Sequence, residues 1–316
     1  MQVLISGGLG YLGSHLTRFL SDGLGHRLRV LARAVPAYFE NWRDKYEIIL
    51  GDVTDKNQLA GCCRDCDVVL QLAALDRDEA RLAPEMALRV SATGTRNLLE
   101  EAVRSQVPRF IFFSSFQVYG SPGGARLGEN TPVNPLSDYS LAHYAGELYC
   151  RQFKELFGFN ALRVRLTNAY GAPLHKNINC WTLAVQEFCL SAFGHQRIVL
   201  KSKGTQRRDF ISIPEILQAT RRLIESDPAE IRHDLYNLGS GRGLSILDLA
   251  HRVKSVHERL YGQEVRVEVM PPGASPKTQP SLVADIKRIR NLGFRPNPPE
   301  AIDQEIIKIY RLLESP

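Results

Sequence analysis

The chain has 316 residues, 44% of them hydrophobic and 23% charged, with a formal net charge of +6. That composition suits a globular protein with a sizeable core, and no apolar run is long enough to span a bilayer. The Lys and Arg residues are scattered, so the surplus charge reads as a solvated surface plus a site for a small anion, not a nucleic-acid face.

The N-terminal Met1-Gln2-Val3-Leu4-Ile5-Ser6-Gly7 lacks the basic stretch and apolar core of a secretory signal, so the mature chain is expected to start here. Six Cys in a chain this long suit a reducing cytoplasm better than a disulfide framework. Cys63 and Cys66 have metal or redox spacing, but no second Cys or His pair lies near. Small buried thiols are expected there, and no metal.

Apolar runs at residues 3–5, 28–31, 47–50, 68–70 and 109–113 predict strands. Helical patterns over 11–22, 56–62 and 86–105 separate them, and a helix over 139–157 precedes a strand over 161–165. This alternation predicts an α/β fold with a doubly wound parallel sheet. From about Asn168 the pattern is broken by many Pro, with helices left at 181–193, 213–226, 246–260 and 300–313. Residues 1–167 are therefore expected to form a dinucleotide-binding domain with later returns near 206–240. Residues 168–316 are expected to form mainly a smaller, interleaved C-terminal substrate lobe.

Gly7-Gly8-Leu9-Gly10-Tyr11-Leu12-Gly13 follows the first strand and opens a helix. Gly7, Gly10 and Gly13 permit a tight turn, close approach to a pyrophosphate and close helix–strand packing. Tyr11, Leu12 and Gly13 then offer the free N–H groups of a helix start. This is the Rossmann fingerprint, and it predicts a nicotinamide dinucleotide. After the second strand comes Leu31-Ala32-Arg33, with no acid to bind ribose hydroxyls, so Arg33 favours NADP(H) and leaves NAD(H) open. Asp52 and Val53 end the third strand and are expected to face the adenine.

Ser114-Ser115-Phe116-Gln117-Val118-Tyr119-Gly120 follows the fifth strand, and Asp138-Tyr139-Ser140-Leu141-Ala142-His143 comes about twenty residues later. With Gln71-Leu72-Ala73-Ala74, Gly94-Thr95-Arg96-Asn97-Leu98-Leu99-Glu100, Asn168-Ala169-Tyr170-Gly171, Arg208-Asp209-Phe210-Ile211 and Tyr236-Asn237-Leu238-Gly239, these segments carry a resemblance over nearly the whole chain. The chain resembles the extended short-chain dehydrogenase/reductases that act on nucleotide sugars, the UDP-galactose 4-epimerase and 4,6-dehydratase group.

The resemblance implies a nucleotide-sugar epimerase or oxidoreductase. It makes Tyr139 the acid/base on a sugar oxygen and Ser115 a hydrogen-bond donor to the same oxygen. It also places Leu72, Ala73 and Ala74 on the cofactor. The family tunes its Tyr with a Lys four residues on, and here that position is His143. Two readings stay open: His143 fills the Lys role in part, or the protein holds a dinucleotide with weak turnover, as a structural or redox-sensing module. The dehydratases carry an Asp-Glu pair where this chain has Phe116 and Gln117, which counts against 4,6-dehydration. The substrate's anionic end is expected on Gln117, Asn168 and Arg208. Lys277 stands in the Pro-rich stretch where the family has an Arg. Arg207, Lys176 and Asp76-Arg77-Asp78-Glu79 add nearby charge, and Trp181 is either a stacking surface or a lobe anchor. A homodimer paired through residues 86–105 and 139–157 is expected, unless Leu98, Leu99, Leu148 and Phe153 face the monomer core.

Overall fold

The computed structural model describes residues 1–122, 126–270 and 281–315. Seven parallel strands form the main sheet, in the spatial order Leu235–Leu238, Ala161–Leu166, Arg109–Ser115, Val68–Gln71, Gln2–Ser6, Arg27–Ala32, Glu47–Leu50. The chain winds outward from Gln2–Ser6 to one edge, then restarts at Val68–Gln71 on the other side. The crevice beside the reversal is where doubly wound sheets hold ligands. The last edge strand, Leu235–Leu238, arrives only after the chain has passed through the lobe.

The central strands Gln2–Ser6, Val68–Gln71 and Arg109–Ser115 are buried along their full length. Alternate residues of each serve opposite faces. Val3, Ile5, Leu70, Ile111 and Phe113 pack into one core, and Leu4, Val69, Phe110 and Phe112 into another. A third core lies in the lobe, where Phe188, Val253, Ile306 and Tyr310 meet between Ala184–His195, Ile246–Tyr261 and Ala301–Glu314.

Several expected helices are shorter or broken. The first is α-helical over Tyr11–Arg18 and widens to a π-turn over Phe19–Gly23. The segment expected over 86–105 passes through a π-turn at Arg89–Thr93 before Gly94–Arg104. At Gly94 a Cβ would lie 2.6 Å from Val53, so the third-strand loop presses on this helix. Trp181 precedes the helix that begins at Ala184 and anchors its own loop, its indole N–H donating to the Lys176 carbonyl at 2.8 Å. Leu98, Leu99 and Phe153 are buried in the monomer, whereas Leu148 is 38% exposed. All six Cys are buried free thiols. Among the described residues there is no metal-ligating cluster and no helix long and apolar enough to cross a membrane.

The helix Asp138–Phe157 starts on a Ser137/Ser140 capping box and stops at left-handed Gly158. Gly146 lets it approach the sheet, since a Cβ there would lie 2.6 Å from the Phe112 ring. One residue on, Glu147 is buried and grips Arg165 with two bonds, 2.6 and 2.9 Å long. Ser114 donates to the same carboxylate at 2.6 Å.

Burial also holds two histidines, His15 and His143, down to about pKa 4. His15 ties the first helix to the lobe, its Nε2 lying 3.0 Å from the Ala172 carbonyl. A folded pKa below the free value of about 6.5 means that the unfolded chain binds the proton first. Stability is then complete at neutral pH and falls as pH drops from about 6.5 towards 4, by about 2 kcal/mol per histidine at about pH 5. The melting temperature of the wild type should therefore fall more steeply between about pH 7 and 5 than that of His143→Gln. Equal slopes would show that His143 charges freely in the folded state.

Candidate active site

A cleft of about 1090 Å³ opens at the C-terminal ends of the parallel strands, between the sheet and the lobe. Gly7, Gly10, Tyr11, Leu12 and Gly13 form one wall. Gly7 has φ +70°, a left-handed conformation, and a Cβ on it would meet the Ala73 N at 3.0 Å. A Cβ on Gly13 would collide with the Gly7 carbonyl. The helix that follows has no side-chain cap, so its first N–H groups are left for a ligand. Leu72, Ala73 and Ala74 continue this wall.

Arg33 is exposed at the cleft and makes no hydrogen bond or ion pair with any described residue. Tyr38, which the sequence did not single out, lines the cleft beside it and stacks on His175 of the lobe, with ring centroids 4.3 Å apart and planes 4° from parallel. Asp52 and Val53 do not line the cleft. The Asp52 carboxylate turns back to accept from the Thr54 N–H at 2.8 Å, and the Val53 carbonyl accepts from Asn97 at 3.0 Å.

Ser115, Tyr139 and His143 come together on the opposite wall, with Gln117 beside them. Ser115 ends the strand Arg109–Ser115, and its Oγ accepts from the Gln117 N–H at 3.2 Å. Tyr139 and His143, one helical turn apart, meet edge to face with centroids 4.5 Å apart. Burial raises the Tyr139 pKa, and Asp76 adds to that; the Ser115 hydroxyl and the charge of Arg77 act against it. Burial pushes His143 down to about 4, outweighing the Phe113 backbone, which favours the charged form. Burial thus favours the neutral form of His143 at pH 7, which lacks the positive charge of a Lys. Among the described residues neither ring nitrogen meets hydrogen-bond geometry, and with the Phe113 backbone on one side of the imidazole the other side is left for a polar group in the cleft.

Asn168 and Arg208 line the far end. Asn168 Nδ2 donates to the Asp209 carbonyl at 2.7 Å. Asp209 is buried at 0% exposure, and its carboxylate accepts from Ser240 N, Gly241 N and Ala284 N at 2.7, 2.9 and 3.1 Å. Burial raises it to about 6 against those bonds. It fixes the strand that carries Arg208, a positioning duty that only its place beside Arg208 hinted at. Arg207 turns away to the Gly243 carbonyl, and Lys176 to the Ser315 carbonyl, so neither enters the cleft. Trp181 does not line it either. Lys277 lies outside the described residues.

The cradle that a Cβ would fill and the uncapped helix start together fit a bound dinucleotide. The family described as NAD dependent epimerase/dehydratase matches residues 3–239. A putative UDP-glucose 4-epimerase of Methanocaldococcus jannaschii is 25% identical over 302 residues, covering 93% of each chain. The solved UDP-N-acetylglucosamine 4-epimerase from Methanobrevibacter ruminantium, in complex with UDP-N-acetylmuramic acid, superposes with a TM-score of 0.83 at 24% identity, over 99% of this chain and 97% of its own. The Thermus thermophilus UDP-glucose 4-epimerase in complex with NAD has a TM-score of 0.83 at 23% identity, over 98% and 99%. With three-quarters of its length matched and its fold shared throughout, the chain belongs to the NAD-dependent epimerase/dehydratase family.

Proposed function

We propose that this protein is an epimerase or oxidoreductase of a nucleotide-activated sugar, with Tyr139 as its acid/base. The observation that carries the reading is the Ser115–Tyr139 pair, set in the cleft that the glycine cradle opens into. A bound nicotinamide dinucleotide supplies the hydride acceptor and donor. Tyr139 takes a proton from, or returns one to, a sugar oxygen, and Ser115 donates a hydrogen bond to that oxygen. Neutral His143 offers a ring nitrogen to a ribose hydroxyl, holding and orienting without charging. Phe116 and Gln117 supply no acid for expelling a hydroxyl, which favours epimerisation or net redox over dehydration. For the cofactor, unpartnered Arg33 and the lack of an acid at the end of Arg27–Ala32 support NADP(H) over NAD(H), with NAD(H) bound by the Thermus relative.

A panel of nucleotide sugars, assayed for epimerised or oxidised product, tests the activity. Tyr139→Phe should lower turnover by roughly a hundredfold or more while leaving dinucleotide affinity nearly unchanged. Full turnover in that variant would assign the proton transfer to another residue. Fluorescence titration tests the cofactor. NADPH should bind the wild type more tightly than NADH, and Arg33→Ala should cut NADPH affinity by roughly tenfold while sparing NADH. Equal or tighter NADH binding to the wild type would show that Arg33 reads no phosphate.

A further inference from the structure

Residues 171–179 follow the short strand Asn168–Tyr170 and reach across to the sheet side of the cleft. They touch the connections that follow three strands of the main sheet. After Gln2–Ser6, the Tyr11 hydroxyl donates to the Gly171 carbonyl at 2.8 Å. After Arg27–Ala32, the Tyr38 ring stacks on His175. After Val68–Gln71, Asp76 Oδ2 accepts from Asn179 Nδ2 at 2.7 Å. These three strands are neighbours, with Gln2–Ser6 in the middle. A dinucleotide that runs from the glycine turn along their C-terminal ends therefore lies under this segment, and Asn177, Ile178 and Asn179 line the cleft.

The two ends of the segment are held differently. Near its start it is tied three times: Tyr11 and Gln186 donate to the Gly171 carbonyl at 2.8 and 3.0 Å, and His15 holds the Ala172 carbonyl. Further on, the polar and aromatic ties across the cleft are one ring stack and one exposed hydrogen bond, with Ile178 buried between them in sequence. Contacts of that strength open locally far more often than the domain unfolds. Their partners on the sheet side are fixed. Asp76 Oδ1 caps the helix Arg77–Leu82 by accepting from the Asp78 and Glu79 N–H groups at 2.9 and 2.8 Å, so Asn179 closes onto a rigid carboxylate. Tyr38 leans on Phe39, which is buried in the core with Trp42.

We propose that residues 175–179 are a strap that gates the dinucleotide, latched by the Tyr38–His175 stack at the Arg33 end and by the Asn179–Asp76 bond at the other. This rests on the dinucleotide reading of the cleft. Opening breaks both latches and leaves the Gly171 end in place as the hinge. His175 does not line the cleft, so its ring serves the strap and not the dinucleotide. Gating has a kinetic signature. Loosening a gate speeds entry as well as exit, so affinity changes less than either rate. Losing a direct contact speeds exit alone.

Stopped-flow fluorescence with NADPH and with NADH measures both rates. Entry is followed on mixing the reduced dinucleotide with protein freed of cofactor, and exit on chasing with an excess of the oxidised form. Wild type, His175→Ala, His175→Phe, Asn179→Ala and the variant carrying both alanines are compared, with folding checked by melting. His175→Ala and Asn179→Ala should each raise entry and exit rates by roughly three- to tenfold, and the double variant by more. His175→Phe keeps a flat ring against Tyr38 and should stay near the wild type. Faster exit with unchanged entry would make these residues ligand contacts and overturn the gate. Unchanged rates in the double variant would overturn it too, with the dinucleotide reading intact. A wild type that binds neither NADPH nor NADH sinks that reading and the gate with it.

Discussion

The buried Glu147–Arg165 ion pair fixes the relation between the two elements on which the chemistry depends. Glu147 is on the helix of Tyr139 and His143, and Arg165 is on the strand next to the one that ends in Ser115. Ser114 binds the same carboxylate, so three elements share one set of hydrogen bonds beneath the cleft floor. The pair is nearly inaccessible to solvent, with side-chain exposures of 4% and 1%. Removing one partner from such a pair costs about 3–5 kcal/mol, because the other is left charged and dry. The Arg165 guanidinium also lies over the Tyr119 ring at 4.6 Å, and the Tyr119 hydroxyl donates to Asn237 at 2.8 Å. Through that chain the late edge strand Leu235–Leu238 is coupled to the floor of the site.

Much of this was legible in the residues. The glycine turn and the buried strands follow from local patterns, short all-apolar runs and a strand–turn–helix glycine spacing, whereas Ser115, Tyr139 and His143 come from the family resemblance through motif position. What did not follow were effects of contact between distant segments. The π-turn at Arg89–Thr93 arises where Gly94 accommodates Val53, forty-one residues earlier, and no local period encodes that. Asp52 and Val53, expected at the adenine, are held by an Asx turn to Thr54 and by a bond from Asn97, two contacts that local sequence patterns do not encode. The short helix Arg77–Leu82 was read only as a run of charges, because six residues give too little periodicity to see Ala80 as its buried side. His143 was identified by position, but its charge state depends on a burial that sequence does not report.

That charge state changes the account of the chemistry. A Lys beside Tyr139 would stabilise the phenolate by Coulomb attraction. The neutral imidazole does not, and burial together with Asp76 pushes Tyr139 upward. Ser115 from the strand end and Asp76 and Arg77 from the short helix and its cap act on Tyr139, and the His143 ring meets it from one turn on along its own helix. Of these only Ser115 and Arg77 favour ionisation, and they do not reverse the effect of burial. On the proposed role of Tyr139, proton abstraction from a sugar oxygen is then limited by a small phenolate fraction near pH 7.

The pH dependence of the oxidative half-reaction tests this most directly. It is followed as single-turnover formation of reduced dinucleotide from a nucleotide sugar that the protein accepts. The account predicts a rate that climbs roughly tenfold per pH unit from about pH 6 to about pH 9 without levelling. A plateau near neutral pH would contradict it, showing that Tyr139 is already ionised and that a cationic partner lowers its pKa in the loaded enzyme.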